Sequence, residues 1–205
     1  VKSLAGMSLE RAKLFLKTGK HSACETVGNL LFTHEGLSGF SALDLAGDVA
    51  VLCAKNGDSD LFLCIRPEWG RAEWSAELER WRKEDGWKLI RTHLSRHVPR
   101  SMADMLCDLS ECYEVKACML SAVQRDLLLT NLSALKMTVH GAGPLGKAMA
   151  MRGGVSLKEI NPSSMQSRLV KGLYFAGEIV DLVGPCGGYN MQWAFSSGRL
   201  AGFLR

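Results

Sequence analysis

The chain lacks several features that would settle its class at once. No apolar run in its 205 residues approaches the length needed to span a membrane, and no charged-then-apolar leader opens it. A membrane partner is therefore not expected. The basic residues form no block, and the net charge of +4 is spread along the chain, so a nucleic-acid partner is not implied. Seven cysteines, at 24, 53, 64, 107, 112, 118 and 186, contain no CxxC pair and are odd in number. That usage suits reduced thiols in a cytoplasm rather than a disulfide framework. Cys107, Cys112 and Cys118 also lack metal-site or redox-pair spacing, so buried or idle thiols are expected. No internal repeat or low-complexity segment occurs. The first residues, Val1-Lys2-Ser3-Leu4, include no initiator methionine, and the expectation is a fragment or processed piece.

What is present is ordinary globular material, 47% hydrophobic and 22% charged, long enough for one large domain or parts of two. Its organising stretch lies near the C-terminus. Residues 173–176, Leu-Tyr-Phe-Ala, suit a short buried strand covered on both faces, and Gly177 ends it where backbone must approach something closely. Glu178 and Asp181 form an acidic turn, and Gly184-Pro185-Cys186-Gly187-Gly188-Tyr189-Asn190 a glycine-rich loop. Met191, Ala194, Phe195, Gly198 and Ala201 then recur at helical spacing. A glycine loop feeding a helix N-terminus presents free N–H groups and partial positive charge to a ligand. The same pattern also serves as plain strand-to-helix packing.

Upstream, Ala12, Leu14 and Leu16 alternate with Lys13, Phe15 and Lys17 as a strand, with a turn at Thr18-Gly19-Lys20. Residues 25–32 read as the returning strand, bent at Gly28. A loop over 33–39 leads to a helix from 41 to about 49, with Ser38 as its N-cap. Asn56-Gly57 signals a turn, and residues 61–65 a short strand. Trp74, Leu78 and Trp81 mark an amphipathic helix over 71–83 that Gly86 stops. Both tryptophans are expected in packing rather than in a substrate cage. Further helices are expected over 88–97, 100–109 with Pro99 in its first turn, and 121–132. Strands return at 135–139 and 148–151.

Gly141-Ala142-Gly143-Pro144-Leu145-Gly146 is a literal GxGxxG, with Glu159 downstream. Only about two helical turns fit before Gly153-Gly154, and the acid arrives earlier than the usual ~20 residues. A glycine-rich crossover between subdomains is the better reading. His93 and His97 share a helical face with Arg96 and Arg100 nearby but no carboxylates at ligand spacing, so a solvated basic face is expected and no metal site.

Three separated stretches resemble the HI0933-like flavoproteins: the C-terminal stretch from Gly172 to Gly202, residues 29–39 (Asn-Leu-Leu-Phe-Thr-His-Glu-Gly-Leu-Ser-Gly), and Gly153-Gly154-Val155 followed by Glu159-Ile160 and Met165-Gln166-Ser167. The resemblance is weakest between 67 and 135. Phe40 replaces the family's usual proline after Ser38-Gly39, and Met151-Arg152 replaces its small or β-branched residue and Thr.

The resemblance implies an FAD-dependent oxidoreductase with NAD(P)H as redox partner and a small-molecule substrate. The implied fold is mixed α/β (α+β). A strand-rich, barrel-like subdomain (1–66) carries a helical insertion (67–134) and return strands (135–152), and 153–205 is the C-terminal strand and helix of a Rossmann-like FAD-binding domain. The family's phosphate-binding glycine loop is not in this sequence, so a missing N-terminal FAD-binding segment would supply the ADP half of the site. The implied cofactor residues are Gly153, Gly154, Val155, Gly177, Glu178, Asp181, Gly187, Gly188, Tyr189, Asn190 and Met191. Glu178 would accept ribityl hydrogen bonds; otherwise it is a turn carboxylate. Residues 187–190 would aim N–H groups at the flavin pyrimidine edge, or Asn190 would serve as an N-cap. Asp181 would join Glu178, or simply close the turn. His34, in a loop, is the titratable candidate for proton transfer near a substrate; otherwise it is structural. A second expectation is a non-catalytic binding or assembly module, built on the Trp-bearing helices, that binds no FAD alone.

Overall fold

The computed structural model describes residues 2–17 and 24–203, with the side chain of residue 2 outside that description; the turn expected at Thr18-Gly19-Lys20 lies outside it too. The chain divides into two compact units, Val1–Gly141 and Ala142–Arg205. The glycine-rich crossover therefore straddles a unit boundary. Gly141 has φ 153 with open space around it, and the GxGxxG runs only into a three-residue 3-10 turn, Leu145–Lys147, that overlaps its last two residues.

The first unit is mixed α/β. Its elements run β1 (Ser8–Leu16), β2 (Glu25–Phe32), β3 (Leu37–Ser38), α1 (Phe40–Asn56), β4 (Ser59–Cys64), α2 (Arg71–Glu84), α3 (Ile90–Leu94), α4 (Arg100–Leu109), α5 (Ala122–Ala134) and β5 (Leu135–Val139). The strands form one antiparallel sheet in the order β3-β2-β1-β4-β5. The period-2 pattern of β1 buries Ala12, Leu14 and Leu16, a register shift separates them from buried Leu9, and Leu30, Phe32, Leu61 and Leu63 join the same core. Helices cover that face with Leu45, Trp74, Trp81, Leu106 and Leu132. Strands and helices thus share a single core. Trp74 and Trp81 are packing residues, as their spacing suggests.

Gly28 allows a close approach: a Cβ there would lie 3.2 Å from Ser41 N and 3.3 Å from Phe40 Cβ. The start of α1 differs from expectation. Ser38 pairs with Leu31 in β3, and the N-cap is Gly39 at φ 91. Asn29 Oδ1 accepts from Phe40 N at 2.7 Å, so a neighbouring strand supplies the acceptor that a capping side chain would have given. The helix continues past residue 49 to Asn56, where Gly57 at φ 73 ends it. The expected 88–97 helix shrinks to α3 because Leu89 bridges Lys116 and Lys88 O accepts from Ala117 N, which holds 88–89 extended. Pro99 is the N-cap of α4 rather than its first turn.

His93 and His97 are not a solvated basic face. His93 is 0% exposed, stacks on Trp81 with centroids 5.0 Å apart, and places Nε2 3.2 Å from Asp85 O. His97 Nδ1 lies 3.0 Å from Arg66 Nη1 and its Nε2 3.2 Å from Glu77 Oε1. A guanidinium only donates, so Nδ1 must accept and His97 is neutral, with its proton on Nε2 toward Glu77. Glu77 also accepts from Trp81 Nε1 at 2.8 Å and pairs with Arg80. Helical periodicity showed the shared face of the two histidines but not that α2 would roof it.

The second unit is built mostly of loops. Short 3-10 turns at Leu157–Glu159 and Gly177–Ile179 precede α6 (Tyr189–Gly202). Its core is small: Ile160, Met165 and Val180, with Val155, Phe175, Leu182, Trp193, Leu200 and Ala201 against them. Residues 148–151 are not a strand, having no ladder partner, and Met149 and Met151 are exposed. Nor are residues 173–176 a strand covered on both faces. Tyr174 makes one isolated bridge, to Gln166, through bonds on one edge (Ser167 N to Leu173 O, Phe175 N to Met165 O), and Leu173 is exposed. The helix forms where its spacing indicates, but Met191 and Phe195 are 66% and 70% exposed while Trp193, Ser197, Leu200 and Ala201 face inward. No helix of the described residues is long and apolar enough to cross a membrane.

Candidate functional site

The C-terminal glycines and acids converge within the second unit. Val155 and Val180 form a parallel bridge, with Val155 N donating to Ile179 O at 2.8 Å and Asp181 N to Val155 O at 2.9 Å. This brings Gly153-Gly154 alongside the acidic turn. Gly154 has φ 141, and a Cβ there would meet Ile179 O at 2.3 Å, so only glycine fits. The two acids fasten the same segment. Glu178 Oε1 accepts from Met151 N at 2.8 Å and Asp181 Oδ1 from Gly153 N at 3.1 Å. A carboxylate has about four acceptor sites, so Glu178, which is exposed, keeps capacity for an incoming hydroxyl.

The glycine loop then turns into α6. Gly187 and Gly188 hold φ 119 and φ 92, and Gly188 is the N-cap, with no side chain capping the helix. The Asn190 N-cap reading is thereby corrected. Asn190 instead clasps the peptide groups of Gly184: its Oδ1 accepts from Gly184 N at 2.8 Å and its Nδ2 donates to Gly184 O at 3.0 Å. The first intrahelical bond runs from Gln192 N to Gly188 O, so the N–H groups of Tyr189, Asn190 and Met191 have no i−4 acceptor. Tyr189 and Met191 are exposed beside them. Three N–H groups at the positive end of a 14-residue helix form a ready donor set for a polar ligand edge.

Sequence reasoning missed Trp193 and Ser197. Trp193 Nε1 donates to Gly177 O at 3.0 Å and Gly177 N donates to Ser197 Oγ at 2.9 Å. Their i, i+4 spacing was the available signal, passed over beside the apolar spacing of Met191, Ala194, Phe195, Gly198 and Ala201. An open groove of about 480 Å³ lies alongside Gly154, Val155, Glu159, Ser167, Phe175 and Ile179.

His34 belongs to the first unit, exposed in the loop between β2 and β3. That loop is tied by Thr33 N to Gly36 O at 2.8 Å and Gly36 N to Thr33 Oγ1 at 3.1 Å. Among the described residues no group of three or more His, Cys, Asp or Glu could hold a metal ion.

The chain is 30% identical over 175 residues to a ribosomal RNA dihydrouridine synthase of Escherichia coli, covering 82% of this chain and 40% of that protein. It is 26% identical over 192 residues to a 3-dehydro-bile acid delta(4,6)-reductase of Clostridium scindens, covering 93% of this chain and 47% of that protein. A ribosomal RNA dihydrouridine synthase of Haemophilus influenzae is 29% identical over 168 residues, again 82% of this chain and 40% of the relative. The chain thus spans less than half the length of these relatives. Over residues 15–204 it matches the HI0933-like protein Rossmann domain, and it belongs to that family.

Proposed function

We propose that this chain is the C-terminal part of an FAD-dependent reductase that adds hydrogen to an unsaturated substrate with NAD(P)H as the source of reducing equivalents. The observation that carries the reading is the uncapped N-terminus of α6 behind Gly187-Gly188, set in one unit with Glu178 and the Gly153-Gly154 backbone. The donor set fits the flavin and ribityl end of FAD: N–H groups of 189–191 for the polar pyrimidine edge, Glu178 for ribityl hydroxyls, and side-chain-free backbone at 153–154 for a flat ring. When bound there, FAD would supply hydride chemistry at its N5 position. The chain's own residues bind, orient and polarise. The α6 dipole and its N–H groups favour negative charge on that edge, and the Glu178 and Asp181 clasps hold the glycine backbone still.

Within this reading, residues 153–205 complete a Rossmann-like FAD-binding domain and the first unit, 1–141, is the strand-rich, barrel-like part with its helical insertion. A partner segment, N-terminal in the longer protein, supplies the phosphate grip. Its place is supported by the outward Met191 and Phe195 stripe and by the one-edged pairing of 173–176. The same exposed surface favours a second reading, that the isolated chain is an assembly module binding no FAD alone, whereas the Trp-bearing helices offer it no surface through Trp74 and Trp81, which are buried.

The names of the relatives both describe reductions, one yielding dihydrouridine in ribosomal RNA and the other acting on a delta(4,6) 3-dehydro bile acid. The test is anaerobic mixing of the full-length, FAD-loaded protein with NADH or NADPH. Bleaching of the flavin band, followed by reoxidation with either a uridine-containing RNA or a conjugated steroid ketone, is expected. A flavin that neither nucleotide bleaches would contradict the NAD(P)H assignment, and failure of both substrates to reoxidise it would contradict the substrate class.

A further inference from the structure

Gly177 has both of its peptide groups bonded to one helix. Its N–H donates to Ser197 Oγ at 2.9 Å, and its C=O accepts from Trp193 Nε1 at 3.0 Å. Ser197 is 2% exposed, and its hydroxyl donates in turn to Trp193 O at 2.6 Å, so its proton is committed and a lone pair is left for Gly177. The backbone favours glycine: Gly177 has φ 69, while a Cβ there would make only an ordinary contact with Ala194 Cβ at 3.6 Å.

Gly177 leads directly into the acidic turn. Gly177–Ile179 is one 3-10 turn, and from it Glu178 holds Met151 N, Ile179 O holds Val155 N, and Asp181 holds both Gly153 N and Val155 O. A displacement of Gly177 from α6 would therefore carry Glu178, Asp181 and the Gly153-Gly154 backbone away from the helix N-terminus together. Donors misplaced by about 1 Å lose much of their effect on a bound group.

We propose that Ser197 and Trp193 are positioning residues for the cofactor, acting through Gly177 to register the acidic turn and the 153–154 backbone against the N-terminus of α6. The role rests on the FAD reading above. It separates the inner side of α6, which sets geometry, from its first turn, which would meet the ligand.

The test uses the full-length protein with Ser197→Ala and Trp193→Phe, each removing one bond to Gly177, and Ser197→Thr, which keeps the hydroxyl. FAD affinity is read by flavin fluorescence quenching, and the flavin absorption band and two-electron potential are read at saturating FAD. Each disrupting variant should weaken FAD about five- to tenfold, as expected for one lost hydrogen bond with its partner left unsatisfied. Each should also shift the band and potential at saturation, and Ser197→Thr should restore all three. A role confined to stability would lower the melting temperature and leave the saturated spectrum and potential as in the wild type; that result overturns the proposal, as does a Thr variant no better than Ala. Trp193→Phe keeps the test alive if Ser197→Ala does not fold, because Trp193 is only half-buried. A wild-type protein that binds no FAD would instead sink the FAD reading, and the positioning role with it.

Discussion

Acidification should destabilise the first unit through its two buried histidines. Burial pushes the His93 imidazole below its ordinary value of 6.5, the Asp85 carbonyl offsetting only part of this. Burial likewise lowers His97, Glu77 opposes the shift, and the Arg66 guanidinium adds to it. A base held neutral in the fold but free to charge when unfolded stabilises fully above 6.5, and that contribution is lost as pH falls below it, because the unfolded chain then binds more protons. At about pH 5.5 the loss is at most about 1.4 kcal/mol per histidine, or about 2.8 kcal/mol for the pair. At about 4 °C per kcal/mol for a unit of this size, the melting temperature should fall by up to about 10 °C between about pH 7.5 and pH 5.5. Glu77 does not confuse the window. Burial alone would raise its carboxyl, but hydrogen bonds from Arg80 and Trp81 outweigh that, so its contribution is lost only below the ordinary 4.5. The assay is thermal unfolding followed by tryptophan fluorescence for the wild type and His97→Gln, which cannot take up the proton. His97→Gln should show about half the fall. Equal melting temperatures at the two pH values, or an undiminished fall in His97→Gln, would refute the buried-histidine account.

Three further outcomes are expected. Gly154→Ala should destabilise the second unit by about 2–4 kcal/mol, from its positive φ and the 2.3 Å approach to Ile179 O, and limited proteolysis should then cut residues 142–203 first; a variant as resistant as the wild type would show that the backbone yields. Glu178→Ala in the full-length protein should weaken FAD about tenfold, and unchanged affinity and turnover would remove Glu178 from the site. If His34 moves a proton, His34→Asn should lower kcat by a factor of about 100 with FAD retention unchanged, and wild-type kcat would leave it a structural loop residue.

Legibility in the sequence followed the range of the interactions. The alternation of Ala12, Leu14 and Leu16 and the spacing of Trp74, Leu78 and Trp81 located β1 and α2 because each pattern is set by one element against one core. Ser38 misled because the acceptor for Phe40 N comes from Asn29, on another strand. His93 and His97 misled for the same reason, since Arg66 and Glu77 reach His97 from a loop and from α2, and Trp81 of α2 stacks on His93. In the site, the family resemblance alone singles out Gly154, and the close approach that demands glycine there is to Ile179 O. The clasps by Asn190, Trp193 and Ser197 could not be read from the sequence, being bonds from side chains to individual backbone groups 6 to 20 residues away. Residues 173–176 carry the composition of a two-sided strand, yet the described residues pair only one edge.

The central claim, that this chain contributes the flavin end of an FAD site, is tested most directly by purifying the full-length protein and recording its visible spectrum after gel filtration. A protein that retains FAD, or regains it on incubation with FAD, with the two-banded flavin absorption is the predicted result. A full-length protein that emerges colourless and cannot be reconstituted with FAD would contradict it.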